Sequence, residues 1–284
     1  MKLRLKDAEL DLSTPVVMGV LNVTPDSFSD GGRWMDLSAA CAQAWAMASQ
    51  GARIIDVGGE STRPGATPVA EQQELDRVIP LIERLTAEKL PAFISVDSSK
   101  TAVMTAAIAA GASMINDVTA LSASGALQLV ANSKVAVCLM HMQGRPHDMQ
   151  LRPRYENVVA EVTDFLLRRA GDCVRSGISK TSIVLDPGFG FGKTLTNNLQ
   201  LLADLDSLIN AGFPVLVGMS RKSMLGELLG APADQRSHGH SAAVAIAVMQ
   251  GAKIVRAHDV QETVQAVRIA SRVRQAKGVS TQHE

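Results

Sequence analysis

Polar side chains recur along this chain directly after short apolar segments, and their types suit the binding of a polar, anionic small molecule. In chain order they are Asn22, Asp56, Asp97, Asn116, Asp117, His141, Asp186, Ser220, Arg221, Lys222, Arg256 and His258. The carboxylates, amides and ammonium group among them suit a planar heterocycle with several ring nitrogens, because each buried polar edge needs a fixed partner. An internal salt-bridge network around Lys222 is the alternative interpretation.

The cationic residues cluster late in the chain, in a pattern that favours a phosphate site. Lys222 follows one apolar segment, and Arg256 and His258 follow the next. An arginine can bind phosphate through two parallel hydrogen bonds, and a histidine can donate another. Asn22 offers a neutral oxygen that suits a Mg²⁺ ion bridging to a substrate phosphate. A hydrogen bond from Asn22 to the turn that follows it is the alternative.

The stretch RIIDVGGESTRPGA, residues 53 to 66, joins a buried-strand pattern to a polar loop. Gly58 and Gly59 allow a tight bend or a close approach to a ligand, and Arg63 carries a planar guanidinium suited to carboxylate or phosphate. A polar turn that caps the next helix is the alternative. We expect Asp56, at the end of the strand, to order the loop rather than to perform chemistry.

A second glycine-rich stretch, GFGFGK, runs from Gly188 to Lys193. It lacks the spacing and the ending of a Walker phosphate loop. Aromatic residues make up only 3% of the chain, so two phenylalanines within one loop need a packing partner. We predict that the loop lays Phe189 or Phe191 against a ligand ring.

Eight apolar segments of strand length deliver the polar residues. They are residues 16–23, 54–58, 93–97, 114–118, 135–141, 183–187, 215–220 and 254–259. Segments of helical periodicity separate them, and several of these end in glycine, at Gly51, Gly111, Gly177, Gly212 and Gly251. Eight alternating units predict a single (β/α)8 TIM barrel of the α/β class, whose strands end together at one face. A doubly wound open sheet is the alternative, although no GxGxxG follows the first strand.

The composition bounds the class of protein. We predict a single domain over residues 1–284, with residues 1–13 forming a β-hairpin that caps the bottom of the barrel and residues 276–284 forming a flexible tail. The formal net charge of zero argues against nucleic-acid or membrane partners. The start of the chain lacks the apolar core of a signal peptide, so we expect a cytoplasmic location. Cys41, Cys138 and Cys173 lack metal-ligand spacing and are expected to be reduced core residues.

Eight motifs, taken together, resemble the signature blocks of the bacterial dihydropteroate synthase family. They occur in the family's order over residues 16 to about 265, as VVMGVLNVTPDSFSDGG, IIDVGGESTRPGA, ISVDSSK, INDV, CLMHMQG, LDPGFGFGK, VGMSRKS and IVRAHDV. Any one block would be suggestive, whereas eight in order are highly specific. The resemblance implies a transferase of folate biosynthesis that joins (7,8-dihydropterin-6-yl)methyl diphosphate to 4-aminobenzoate, uses Mg²⁺, forms a homodimer and is a sulfonamide target.

The resemblance also assigns roles position by position. Asn22 matches the Mg²⁺ ligand. The positions that match contacts to pterin diphosphate are Thr62, Asp97, Asn116, Asp186, Lys222, Arg256 and His258. Those that match contacts to 4-aminobenzoate are Phe28, Arg63, Pro64, Phe191, Lys222 and Ser223. The residues implied to take part in catalysis are Asp97, Lys222, Arg256 and His258.

The implied mechanism is dissociative. Diphosphate leaves once Arg256, His258 and Mg²⁺ neutralise its charge, and the pterin cation that remains is stabilised by acids such as Asp97. The neutral amine then attacks with little help from a base. The resemblance further implies that the loops after strands one and two order over the bound pterin and form the aminobenzoate pocket, with Thr62 toward the first substrate and Arg63 and Pro64 toward the second.

One segment departs from the family pattern. RSHGHS, residues 236 to 241, replaces a stretch that is usually small and hydroxylated in relatives. We expect His238 and His240 to cap a helix or face solvent, with a metal site as the minor alternative because no third ligand is evident. They could also alter the dimer surface.

Two other functions fit part of the pattern. A corrinoid-type pterin methyltransferase would share the barrel and the pterin contacts, but Asn22, the Arg256 and His258 pair and the STRPGA loop serve a diphosphate or an aminobenzoate. A non-catalytic pterin-binding paralogue would lack some matched positions, and none is lacking here.

Overall fold

The computed structural model describes residues 1–23, 32–61, 65, 67–145 and 148–278. A two-stranded antiparallel hairpin consists of β1 (Lys2–Leu5) and β2 (Ala8–Asp11). The parallel strands of the second sheet are β3 (Val16–Asn22), β4 (Ala52–Gly58), β5 (Phe93–Asp97), β6 (Met114–Asp117), β7 (Ala136–Met140), β8 (Ile183–Asp186), β9 (Leu216–Val217) and β10 (Ile254–Ala257). The α-helices are α1 (Gly32–Ser49), α2 (Glu71–Ala87), α3 (Thr101–Ala110), α4 (Ala126–Ser133), α5 (Val158–Arg175), α6 (Leu195–Ala203), α7 (Asp206–Ile209), α8 (Ser223–Leu229), α9 (Ser237–Gln250) and α10 (Val260–Gly278).

The eight parallel strands form a barrel, which confirms the predicted fold class. Seven neighbouring pairs run in the order β8, β7, β6, β5, β4, β3, β10, β9. A single bridge between Leu185 of β8 and Val215, the residue before β9, joins the two ends of this order. The Leu185 amide also donates to the carbonyl of Pro214 at 3.0 Å. The strand predicted at 215–220 is therefore real but short, and the polar residues after Val217 belong to a loop.

The N-terminal hairpin closes the bottom of the barrel, as predicted. Its buried side chains are Leu3, Leu5, Leu10 and Leu12. They form one hydrophobic cluster with inward-facing residues of the barrel strands, among them Met18, Ile54, Met114, Cys138, Val184, Leu216 and Ile254. The hairpin therefore fills the end of the barrel opposite to the polar strand ends, which leaves the other face for ligands.

The predicted helices are present, with one break. The five glycines expected after helices all adopt positive φ angles, between 79° at Gly212 and 129° at Gly251. The helical segment between β8 and β9 divides into α6 and α7, because Asp204 leaves the helical conformation at φ −110° and ψ 31°. Helix α10 continues to Gly278, past residue 276 where a tail was expected to begin.

The core lies between the barrel and the surrounding helices. Cys41 and Cys173 are buried there and Cys138 is buried inside the barrel, all as free thiols, which confirms their interpretation as core residues. Among the helices that the structure describes, none has both the length and the apolar character needed to cross a membrane.

Candidate active site

The carboxyl ends of the barrel strands surround a cavity of about 350 Å³. Because parallel strands of a barrel all end at one face, side chains distant in sequence meet here. The lining residues that the sequence singled out are Asn22, Asp97, Phe191, Ser220, Arg221, Lys222, Ser223, Arg256 and His258. Predicted cations, one predicted acid and one predicted aromatic ring therefore share a single cavity.

An ion-pair network crosses the floor of this cavity. Arg256 of β10 donates from Nε to Oδ2 of Asp56 at 2.7 Å and from Nη2 to Oδ2 of Asp97 at 2.7 Å. Asn116 of β6 donates from Nδ2 to the same Asp56 oxygen at 2.9 Å. Buried charges need such pairing to be tolerated away from water. Among the residues that the structure describes, this buried network centres on Arg256 and does not include Lys222.

The position of Asp56 corrects one expectation. Its side chain is fully buried and binds Arg256 and Asn116, so it orients the floor of the cavity rather than the loop that follows its own strand. That loop is held from helix α2 instead, because Arg77 donates from Nη1 to the carbonyl of Gly59 at 2.7 Å.

The acids at the strand ends differ in environment. Burial raises the pKa of Asp97 to about 7, with Arg256 opposing the rise and the Asp56 carboxylate adding to it. Burial also raises the pKa of Asp186, against the lowering effects of Lys222 and of the Gly188 amide that donates to its Oδ1 at 2.7 Å. Asp97 is thereby able to carry a proton near neutral pH.

Asp117 lies apart from these acids in function. Its carboxylate accepts hydrogen bonds from the amide and hydroxyl of Thr119, both at 2.8 Å, and from the Leu121 amide at 2.7 Å. Burial raises its pKa, and the hydrogen bonds from Thr119 and Leu121 oppose that rise. Asp117 therefore holds the turn after β6 and does not join the floor of the cavity.

Lys222 connects the cavity to the glycine-rich loop after β8. Its ammonium donates to the carbonyl of Phe189 and lies 4.6 Å from the centre of the Phe191 ring. Burial lowers the pKa of Lys222 to about 8, while the Asp186 carboxylate opposes that change. The structure separates the two phenylalanines of the loop: Phe191 lines the cavity, whereas Phe189 is fully buried in the core and cannot contact a ligand ring.

A second lysine, Lys193, holds this loop from below. It is buried, and its ammonium lies 3.0 Å from Nδ1 of His141, 2.9 Å from the carbonyl of Gly188 and 3.1 Å from that of Phe191. Burial lowers the pKa of Lys193 to about 7 and that of His141 to about 3. His141 is therefore neutral and structural. Sequence reasoning missed Lys193, although its place at the end of GFGFGK was a usable signal.

Ser220 and His258 form a pair at the cationic side of the cavity. The His258 amide donates to Oγ of Ser220 at 3.2 Å, and that hydroxyl lies 3.0 Å from Nδ1 of the imidazole. The hydroxyl can donate to Nδ1, which makes Nε2 the N–H donor of the ring. The neighbouring Arg221 is paired with Asp259 at 2.7 Å.

Asn22 ends β3 and lines the same cavity. Within the described ranges, no group of three or more His, Cys, Asp or Glu side chains could hold a metal ion. A single amide oxygen does fit Mg²⁺ in the form that relies on water and substrate phosphate for its remaining ligands.

Four predicted site residues, Phe28, Thr62, Arg63 and Pro64, lie outside the described residues. Glu60 and Ser61, the two residues before Thr62, line the cavity and also border a second cavity of about 700 Å³. Asp97 borders both as well. The chain at Glu60 and Ser61 therefore forms part of the wall between two adjoining cavities.

The two histidines of the RSHGHS segment lie in the first turns of α9, as expected, but in different environments. His238 is exposed, whereas His240 is buried, and its Nε2 has no hydrogen-bond partner. Burial lowers the pKa of His240 to about 4. Neither histidine caps the helix, whose N-cap is Arg236 without a side-chain cap bond. The expectation of capping or solvent exposure is therefore wrong for His240, because the helix turns that side chain inward.

Comparison with known proteins agrees with this geometry. Residues 18–258 match the family described as pterin binding enzyme. The dihydropteroate synthase of Escherichia coli (strain K12) is 50% identical over 277 residues, which cover 98% of each chain. The fold is similar to that of Yersinia pestis dihydropteroate synthase in a sulfonamide complex, with a TM-score of 0.91, 52% identity and coverage of 97% and 100% of the two chains. It is also similar to Xanthomonas albilineans dihydropteroate synthase with 4-aminobenzoic acid, with a TM-score of 0.90, 49% identity and 99% coverage of both chains.

Proposed function

Because the chain belongs to the dihydropteroate synthase family of pterin-binding enzymes, we propose that it joins (7,8-dihydropterin-6-yl)methyl diphosphate to 4-aminobenzoate. The products are 7,8-dihydropteroate and diphosphate. One observation carries the proposal: the strand-end acids and the cations Lys222, Arg256 and His258 meet around one barrel mouth. A pterin needs the acids, and a diphosphate needs the cations.

Asp97, Asn116 and Asp186 form the binding edge that we propose for the pterin. Asp97 and Asp186 end strands β5 and β8, Asn116 is the residue before the end of β6, and all three are buried. Carboxylate and amide oxygens accept hydrogen bonds from the amino group and ring N–H groups of such a heterocycle. The raised pKa of Asp97 favours this role, since an N–H donor on the pterin can replace the proton that this carboxyl group carries near neutral pH.

Arg256 and His258 are proposed to bind the diphosphate. Asp56 and Asp97 hold the guanidinium of Arg256 in a fixed orientation at the cavity floor, and Ser220 fixes the imidazole of His258. Donors that are oriented before the reaction stabilise charge on a leaving group without reorganising during it. Asn22 would hold Mg²⁺, which when bound supplies additional positive charge for the departing diphosphate.

We propose that 4-aminobenzoate binds against Phe191, Lys222 and Ser223. Phe28, Arg63 and Pro64 are proposed as further contacts to the same substrate. Phe191 presents an aromatic face and Lys222 a positive charge at the same cavity. These suit the ring and the carboxylate of the second substrate. A neutral aromatic amine attacking a pterin cation needs no protein nucleophile, so the proposed order is departure of diphosphate followed by amine attack.

The test is incubation with the pterin diphosphate, Mg²⁺ and 4-aminobenzoate, with diphosphate and dihydropteroate measured as products. Release of both in equal amounts supports the proposal. If no diphosphate is released, a separate incubation with a methylated pterin and a corrinoid distinguishes the alternatives. Methyl transfer between those two would support the methyltransferase, and tight pterin binding without turnover in either incubation would support a non-catalytic paralogue. Sulfonamides should compete with 4-aminobenzoate, and turnover that persists at high sulfonamide with normal aminobenzoate affinity would contradict that expectation.

A homodimer is proposed through the outer faces of the last two helices. Residues 242–249 of helix α9 are all apolar, and Ile246 among them is half exposed. On the adjoining helix α10, Ile269 and Val273 are 68% and 50% exposed. Large apolar side chains grouped on packed helices favour burial against a second copy of the same surface.

A further inference from the structure

Three elements beside the cavity meet at Lys100. Lys100 follows β5 and precedes α3, and its ammonium binds Oε2 of both Glu60 and Glu74. Glu60 follows β4, and Glu74 lies in the first turn of α2. The three side chains form a cluster, here termed the Lys100 clamp. Its ammonium therefore links the loop after β4 to a helix and to the next strand.

Glu60 extends the clamp across the loop that follows β4. Its second carboxylate oxygen, Oε1, accepts a hydrogen bond from the amide of Val69 at 3.2 Å. Residues 62–64 and 66 lie outside the described residues, and Glu60 binds the chain on the far side of them. The same carboxylate group therefore contacts both the Lys100 ammonium and the backbone at Val69.

Packing around Gly59 supports the same arrangement. A Cβ at this glycine would lie 2.8 Å from Cγ1 of Val78 and 3.0 Å from Cγ of Glu74, so the backbone lies directly against α2. Arg77 of the same helix binds the Gly59 carbonyl. The backbone before Glu60 is thus already fixed, and the direction of the Glu60 side chain depends on Lys100.

The direction of the Glu60 side chain depends on the positive charge of Lys100. Glu74 is 1% exposed, and its Oε1 has no hydrogen-bond partner. Without the ammonium, two carboxylates would face each other at a buried position, and Coulomb repulsion would move the more exposed Glu60 away. Its bond to Val69 would then be lost as well.

We propose that Lys100 is a positioning residue for the second substrate, acting through Glu60 on the cavity wall at Glu60 and Ser61. This inference rests on the proposed function. The proposed pterin contacts Asn116 and Asp186 stand on strands β6 and β8, neither of which the clamp joins, whereas Glu60 and Ser61 line the same cavity as Phe191, Lys222 and Ser223. Loss of Lys100 is therefore expected to weaken 4-aminobenzoate binding and to spare pterin diphosphate.

The test compares Lys100→Met with Lys100→Arg and measures KM for each substrate together with kcat. We expect Lys100→Met to raise KM for 4-aminobenzoate on the order of tenfold, equivalent to about 1.4 kcal/mol of lost binding, and to change KM for pterin diphosphate less than about threefold. Lys100→Arg keeps the charge and should restore most of the aminobenzoate affinity. Lys2→Met removes an exposed ion pair with Glu9 and serves as the control.

Glu60→Gln provides a variant that leaves no unpaired buried charge, because Lys100 still pairs with Glu74. It should raise the same KM by a smaller factor. Equal rises in both KM values, or no rise in either while the wild type turns over, would overturn the inference and leave the proposed function intact.

Amide hydrogen exchange at Val69 tests the clamp without turnover. Protection in the wild type that is lost in Lys100→Met and regained in Lys100→Arg supports the clamp, and equal exchange in all three overturns it. A wild type without turnover would reject the proposed function, and the Val69 measurement would still decide whether the clamp exists.

Discussion

The Nη2 atom of Arg256 lies 2.7 Å from Oδ2 of Asp97, which joins residues 159 positions apart in the sequence. The residue proposed to bind diphosphate is thus paired with a residue proposed to bind the pterin. Because Asp56 holds the other side of the same guanidinium, Arg256 has a fixed direction before any ligand arrives. The two halves of the first substrate therefore bind to groups that are already coupled.

Arg256→Lys should damage both roles of this residue. An ammonium cannot donate to Asp56 and Asp97 and also offer a planar fork to phosphate. We expect kcat/KM for pterin diphosphate to fall on the order of 100-fold, the loss typical of one preorganised donor at a developing charge. Steady-state diphosphate release measures this. Arg84→Lys alters an exposed pair with Glu88 and should leave turnover within about twofold; a similar loss in both variants would contradict the prediction.

The raised pKa of Asp97 predicts a pH dependence of stability. Its value rises from 3.8 to about 7, so the folded protein binds a proton that the unfolded chain releases between these values. The stabilisation is complete below the lower value and is lost as the pH rises through the upper one. Relative to Asp97→Asn, the wild type should lose up to about 1.4 kcal/mol of unfolding free energy per pH unit in this window. Urea unfolding of both proteins without ligand provides the measurement. If the free energy of unfolding of the wild type minus that of Asp97→Asn rises with pH, the pKa of Asp97 is lowered and the prediction is wrong.

The two phenylalanines of the glycine-rich loop should respond differently to the same substitution. Phe189→Ala empties a fully buried site and should cost about 3–5 kcal/mol of unfolding free energy. Phe191→Ala removes a ring that lines the cavity beside Lys222, so it should raise KM for 4-aminobenzoate with a stability change below about 1 kcal/mol. Urea titrations and substrate kinetics on both variants decide, and an exchanged pattern would show that the loop places the rings the other way.

Gly188 should tolerate no side chain. It adopts φ +68°, and an added Cβ would lie 2.0 Å from the carbonyl oxygen of His141. Gly230 has a similar φ of +62° with nothing within 4 Å of that position, so it is a matched control for the backbone penalty alone. We expect Gly230→Ala to cost about 1–2 kcal/mol and Gly188→Ala clearly more, with loss of turnover because the loop carrying Phe191 must shift. Equal unfolding midpoints would refute the steric account.

The proposed dimer predicts that a charge at its centre separates the subunits. Ile269→Glu should convert the protein to monomers in light scattering, because a carboxylate cannot be buried unpaired in an apolar interface. Leu151→Glu changes another apolar residue, 79% exposed and remote from α9 and α10 in sequence, and should leave the mass unchanged. A wild-type protein that is already monomeric in solution would contradict the proposed homodimer.

Local patterns in the sequence determined the class of fold and the positions of the polar residues within it. Apolar segments of strand length alternate with helical periodicity, and this information is contained within windows of ten to twenty residues. The polar residues at the ends of those segments, such as Asp97, Asn116 and Asp186, could be located for the same reason. Eight β/α units of this kind close into one barrel, and the ends of its parallel strands then lie together at one face.

Tertiary structure decided which of these side chains pair with one another. Arg256 binds Asp56 and Asp97, which lie 200 and 159 positions away, and Lys193 binds His141 across 52. Phe189 and Phe191 lie in the same loop, yet Phe189 is buried in the core and Phe191 lines the cavity. The periodicity of the sequence indicates which face of its helix or strand a residue occupies. Which side chain it pairs with depends on distance, rotamer and burial in the closed barrel. The sequence therefore determined the fold and the kinds of groups at its mouth, and the closed barrel determined their network.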